Sequence, residues 1–201
     1  MKKKKSPKNL FKKLAQKYPS PKSIQEFLRS FGYNKEIDGA TARSAESAYQ
    51  SKIAHCLEGT IIAAAIMEEH GFPPLILSMD SSDNINHAVF VFKTKSGWGA
   101  IGKSRCPGLH GRAPQFRSIR DLAWSYYDPF IDATGEMTGY ILLNLNESGT
   151  DWKHSNKNLW KLDDFVVNVK YTKMKASRKR FKKHKKSFDL RGYIKKGKHW
   201  W

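Results

Sequence analysis

Two residues in this sequence have the types and the setting for nucleophilic chemistry, Cys56 and His87. A cysteine attacks a carbonyl as its thiolate, so it needs a neighbouring imidazole to take the proton. A third group must then hold that imidazole in place. Cys56 lies near the front of residues 51–70, SKIAHCLEGTIIAAAIMEEH, which read as one buried helix because Ile61, Ile62, Ala63, Ala64, Ala65 and Ile66 make most faces apolar. The positive end of such a helix favours a thiolate. Gly71 beyond it suits a left-handed cap, and Pro73–Pro74 prevent continuation. His87 opens HAVFVFK, a strand pattern with Ala88, Phe90 and Phe92 on one face and His87, Val89 and Val91 on the other. Thr94 to Gly97 reads as a turn that pairs Lys93 with Trp98. Extending that register sets Ser104 opposite His87, and a register one residue shorter would set Lys103 there instead.

A lone cysteine is more often a small core residue than a nucleophile. The histidine at a neighbouring strand head tips this one towards chemistry. A metal site from His55, Cys56, Cys106 and His110 is the weaker reading. These residues lack paired ligand spacing on a rigid element, so no metal and no cofactor are expected.

The surrounding chain must bring the two residues together. Its 201 residues carry a net charge of +19, but unevenly. Residues 1–18 hold eight Lys and no acid, and residues 170–201 hold fourteen Lys or Arg against Asp189 alone. The stretch between is near neutral, with fifteen basic residues against seventeen acidic. This predicts a basic arm over 1–19, one domain over 20–169, and a basic tail over 170–201 punctuated by Phe181, Phe188, Tyr193, Trp200 and Trp201. Within the domain, Ile24, Phe27, Leu28 and Phe31 form a helical stripe after a Ser20–Pro21 start. Residues 33–50 read as a loop. Leu75 to Met79 and Tyr140 to Leu145 are short strands, Ser118 and Asp121 cap another amphipathic helix, and Leu159, Leu162, Val166 and Val169 stripe a last one. Helices, then mostly antiparallel strands, then helices make an α+β domain. Two cysteines, no apolar leader and no span long enough for a bilayer point to a reducing, cytoplasmic setting.

From Cys56 onward, HCLEGTIIAAAIMEEHGFPPLILSMD, NHAVFVF and GWGAIGKS resemble the transglutaminase-like superfamily, the papain-like Cys-His fold. HC-EG, GFPPL, WGAI-KS and GR-P--RS-RDLA-SY look like a bacterial branch of it. The resemblance covers about residues 40–165. It implies a buried cysteine-bearing helix packed on a small, mainly antiparallel sheet, with helices before and after. It also implies Cys56 as nucleophile and His87 as general base and then acid. That family places an Asp shortly after the Gly-Trp, whereas no acid lies between Trp98 and Arg112. Ser104 is then the expected neutral orienter of His87, with Asp80 or Asp83 as alternatives. Gln50, six residues before Cys56, matches the side-chain oxyanion donor of papain-like proteases, beside the Cys56 N–H.

The expected function is cysteine-dependent hydrolysis or acyl transfer on an amide or peptide bond. The rival is a binding protein of the same fold that lacks turnover. Its basic arms would dock on nucleic acid or another polyanion, with rings stacking on bases and lysines on phosphates.

Overall fold

The structure, a computed structural model, describes residues 9–132 and 134–191. The lysine run at 2–5 and the terminal Trp200–Trp201 pair lie outside those residues. The chain begins with α1 (Leu10–Lys17), whose Leu10, Phe11, Leu14 and Ala15 are buried against the core. The first basic segment is therefore a docked helix from residue 10, not a solvated arm. Its apolar stripe is short, but α4, described below, offers it a fully apolar surface. The second helix, α2 (Pro21–Arg29), starts where Ser20 and Pro21 place it: the Ser20 hydroxyl accepts from the Ser23 N–H at 3.2 Å.

Residues 33–50 are not a plain loop. After the short strand β1 (Gly32–Tyr33), Ser44 caps a further helix, α3 (Ala45–Ser51), by accepting from Ser47 N–H. Lys52 ends it in the left-handed region at φ 57°, and β2 (Ile53–Ala54) pairs in parallel with β1. The cysteine helix α4 thus spans Cys56–Glu68 and not residues 51–70. This shift matters, because it moves Cys56 from inside a helix to its first residue. Helices α1, α2 and α3 all pack on α4, which is why nearly every side chain from Leu57 to Met67 is buried. Gly71 takes the expected left-handed conformation at φ +83°, and the chain turns into the sheet.

The sheet strands are β3 (Leu75–Ser81), β4 (His87–Thr94), β5 (Gly97–Ile101) and β6 (Arg112–Phe116). Helix α5 (Ile119–Phe130) follows, capped by Ser118, whose hydroxyl accepts from Asp121 N–H at 3.1 Å. Then come β7 (Met137–Asn144), α6 (Trp160–Val167), β8 (Thr172–Lys173) and α7 (Arg178–Arg191). The order across the sheet is β6-β5-β4-β3-β7-β8, antiparallel at every pairing.

The alternation of β4 divides the core. Ala88, Phe90 and Phe92 face α4, and Val89 and Val91 face α5 with Leu122, Ala123, Tyr126 and Tyr127. Burying each of these larger side chains contributes about 1.5–3 kcal/mol. The fold is α+β, with the cysteine helix on an antiparallel sheet and helices before and after.

The domain reaches past residue 169. Thr172 and Lys173 pair with β7, Met174 is buried, and α7 docks on α5. Arg180 Nε donates to Asp128 at 2.7 Å, and its guanidinium lies over the rings of Trp124 and Tyr127. Lys179, Lys182, Lys183 and Lys186 face solvent. None of the helices among the described residues is long and apolar enough to cross a membrane.

Candidate active site

Cys56 is the first residue of α4, with His55 as its N-cap. The helix can start there because the Glu58 carboxylate turns back to accept the His55 N–H at 3.1 Å. The first amides of a helix lack intrahelical acceptors, so Cys56 N–H is a donor available at the thiol. His87 enters from the head of β4, and Cys56 and His87 line the same two clefts.

His55 directly precedes Cys56 in the chain, and His87 lines the same two clefts as the thiol. Burial opposes the thiolate, but the hydrogen bonds and charge of His55 and His87 bring the thiol down to about 5. Burial likewise opposes the His55 cation, yet Cys56, Glu58 and the Thr41 carbonyl raise it to about 9. The sulfur also sits 4.0 Å from the Asn86 carbonyl oxygen.

The third partner is not a predicted one. His87 Nε2 donates to the main-chain carbonyl of Leu109 at 2.8 Å, which leaves Nδ1 for the thiol side. The ring edges are packed by Tyr126 and Phe130. Ser104 lines the larger cleft, but its hydroxyl accepts from Cys106 N–H at 3.0 Å and its carbonyl takes the His110 ring. The reason is that the β4–β5 ladder runs from Thr94–Gly97 and Lys93–Trp98 only as far as Phe90–Ile101. Beyond it, the Gln25 side chain takes over the strand's hydrogen bonds. Its Oε1 accepts from Gly102 N–H and Gly111 N–H, both at 2.9 Å, and its Nε2 donates to Gly102 carbonyl at 3.0 Å. Ser104 is thereby turned off the register that would have faced His87.

Asp80 accepts from Thr138 at 2.9 Å, and Asp83 accepts from Ser81 at 2.6 Å and Thr134 at 2.5 Å. Asp80 is thus engaged across the β3–β7 pair, and Asp83 by its own turn and by Thr134. Gln50 is on α3, where its amide donates to Glu46 at 3.0 Å, and it lines neither cleft. The six-residue spacing fails as an oxyanion cue because β2 and a fresh helix start intervene between Gln50 and Cys56.

The loop that offers the Leu109 carbonyl is held by Arg112, a fully buried guanidinium. It donates to the carbonyls of Gly108 at 2.7 Å, His110 at 2.8 Å and Gly111 at 3.1 Å, and to Ser125 of α5. Its plane stacks on Tyr126 at 3.9 Å, and the Tyr126 hydroxyl also donates to the His110 carbonyl. Burial pushes His110 itself down to about 4.

A carboxylate network also stands at the site, unread in the sequence, where its one signal is that Glu58 follows the His55 N-cap by three. Glu58 is fully buried and accepts from Arg43 Nε at 2.7 Å, Arg43 Nη2 at 2.8 Å, Asn34 and Thr41. Burial works against its charge, but Arg43 and His55 hold the carboxyl at about 2.

The larger cleft, about 430 Å³, is lined by Tyr33, Asn86, Arg105, Cys106 and Phe130 among others. The smaller, about 230 Å³, runs past His55 to Leu57, Trp160, Asp163 and Val167. Glu36, in the left-handed region at φ 54°, stands between the two. Among the described residues, no group of three or more His, Cys, Asp or Glu is placed to hold a metal ion.

No family model and no curated protein matches the chain. Among solved structures, it is similar to Legionella pneumophila LapG (EGTA-treated), at 17% identity over 83% of this chain and 82% of that one, with a TM-score of 0.37. At that score the likeness is a distant one.

Proposed function

We propose that this protein is a transglutaminase-like cysteine hydrolase or acyltransferase that acts on an amide or peptide bond. The observation that carries the reading is the placement of the Cys56 thiol. It is the first residue of a buried helix and lies, with His87, where two clefts meet. Cys56 Sγ attacks the carbonyl carbon, and the Cys56 N–H supports the oxyanion that forms. His87, held at Nε2 by Leu109, takes the Cys56 proton at Nδ1 as the sulfur attacks, gives it to the departing amine, and then draws one from the incoming water or amine. The thioester breaks as that new bond forms, and the thiol side is restored.

A cleft open on both sides of the nucleophile suits a chain that runs across it. The exposed apolar residues Ile85, Trp160 and Val167 stand at its walls, where they would cover apolar side chains of a peptide. For docking on nucleic acid or another polyanion the support is charge alone, from the exposed lysines of α7, and the reading goes no further.

The test is incubation with a diverse peptide mixture, reading new termini and amine-transfer products by mass spectrometry. Products formed by the wild type and lost in both Cys56→Ala and His87→Ala support the assignment. Products that persist in Cys56→Ala would overturn it.

A further inference from the structure

We propose that the smaller cleft selects a basic side chain of the peptide substrate, with Asp163 as the residue that recognises its cation. The inference rests on the Cys56–His87 reading and names a substrate class for that site.

The cleft, about 230 Å³, has room for one long side chain, and it opens from the nucleophile, since Cys56 and His87 both line it. Much of its wall is apolar: Leu57 comes from α4, and Trp160, Val166 and Val167 come from α6. On α6, Leu162 and Val166 belong to the core. Trp160, Asp163 and Val167 follow the spacing i, i+3 and i+7, so they stand in line on the flank beside it. Trp160 is 46% exposed and Val167 41%, which leaves this line open to a ligand. A carboxylate between an indole and an isopropyl group matches a lysine or arginine side chain. The methylenes lie along the apolar flank, the cation meets the carboxylate, and the indole face attracts the same charge.

The charges of the lining fix the sign of what it takes. No Lys or Arg lines this cleft among the described residues. Its carboxylates are Glu36 and Asp163, and its basic groups are the imidazoles of His55 and His87. Glu36 is already engaged, because its Oε1 accepts from the Thr41 N–H at 2.7 Å and from the Thr41 hydroxyl at 3.3 Å. Asp163 has no hydrogen-bond or ion-pair partner among the described residues. Burial raises its carboxyl, so an arriving cation stabilises its charged form. The larger cleft sets Lys35 and Arg105 beside Glu36 and Asp132 and carries no such bias. The two sides of the thiol thus differ in charge, and a basic residue next to the scissile bond seats the peptide with that side chain towards α6.

Paired alkylating reagents test the cleft in the full chain, with the label on Cys56 read by mass spectrometry. Lysine chloromethyl ketone is compared with its norleucine counterpart, and chloroacetyl-lysine amide with chloroacetyl-norleucine amide. Within each pair the reagents differ by the ammonium alone, and the two pairs place it on opposite sides of the reacting carbon. In the wild type, one lysine reagent is expected to label Cys56 faster than its norleucine partner by about threefold to tenfold. Asp163→Asn is expected to bring that ratio to within about twofold, and Asp163→Glu to keep it. Should Asp163→Asn fail to fold, Val167→Lys, at an exposed position of the same flank, is expected to close the gap by repulsion. Equal rates within both pairs, or a lysine preference that survives these changes, would overturn the role of Asp163 while leaving the Cys–His reading intact. Labelling no faster than that of a free thiol with every reagent would overturn the Cys–His reading, whereas the lysine-to-norleucine ratio reads the cleft whatever that rate.

Discussion

His87 Nε2 donates to the main-chain carbonyl of Leu109 at 2.8 Å, so the imidazole is oriented by backbone where the Ser104 side chain, or else Asp80 or Asp83, was expected. A neutral acceptor fixes the tautomer and the ring plane, but it stabilises an imidazolium less than a carboxylate does. One consequence concerns Ser104, whose hydroxyl serves Cys106 N–H and not the ring. Ser104→Ala is expected to leave the pH midpoint and rate of Cys56 alkylation within about twofold of wild type, costing about 0.5–1.5 kcal/mol of stability. A loss of reactivity as large as that of His87→Ala would restore Ser104 to the site.

Arg112 is the residue that shapes the Leu109 loop. Replacing it with Met keeps the volume but takes their Arg112 donor from the carbonyls of Gly108 and Gly111, while the His110 carbonyl keeps the Tyr126 hydroxyl. Each buried group so orphaned costs about 1–3 kcal/mol, and partial relaxation brings the expected loss for Arg112→Met to about 2–4 kcal/mol. Urea unfolding measures it. Arg112→Lys should recover little, since one ammonium cannot span a fan of acceptors. A midpoint unchanged in Arg112→Met would mean that the loop holds itself.

Gly59 offers a sharper steric test beside the nucleophile. A Cβ there would stand 2.4 Å from Lys103 Cβ, an atom fixed to the backbone and unable to swing aside. Gly59→Ala gains helix propensity, but overpacking should dominate, for a net destabilisation of about 1–3 kcal/mol. Thermal unfolding that rises instead of falling would show that the 102–105 segment moves freely.

Acid should act on the protein through Glu58. Its carboxyl is held at about 2 in the fold, below the ordinary value near 4.5. A depressed acid stabilises the folded state fully above its unfolded pKa, and that contribution fades as pH falls towards the folded one. The urea midpoint of the wild type should therefore drop between pH 4.5 and pH 2. Glu58→Gln, weaker at neutral pH, should change less over that range, so the two curves converge. Parallel curves would place the acid-sensitive group elsewhere.

Much of this arrangement is legible in the residues alone. The apolar stripe of α2, the capping serines at 20 and 118, the two-faced pattern of β4 and the Lys93–Trp98 pairing all follow from local rules. What escapes is decided by tertiary partners. Residues 10–17 offer only a short stripe inside a lysine run, and the surface that buries it is on α4. The segment 45–51 is polar enough to read as loop, yet Ser44 caps it as a helix. Within the site, Cys56 and His87 carry chemical signatures, whereas a Leu109 carbonyl carries none, because every residue has one. His55 and Glu58 are visible as neighbours of Cys56, but their roles depend on Thr41 and Arg43 across a turn.

Gln25 adds a constraint of a different kind. Its amide, 77 positions from Gly102 and 86 from Gly111, is the peg on which the His87-orienting loop hangs. During synthesis, α2 leaves the ribosome long before that loop exists, so the Gln25 amide waits for its partners. The thiol at residue 56 is likewise made well before residue 111. A chain arrested part-way carries its nucleophile without the geometry to use it. The reactive state is thus tied to completion of the fold, by one buried amide that touches neither Cys56 nor His87.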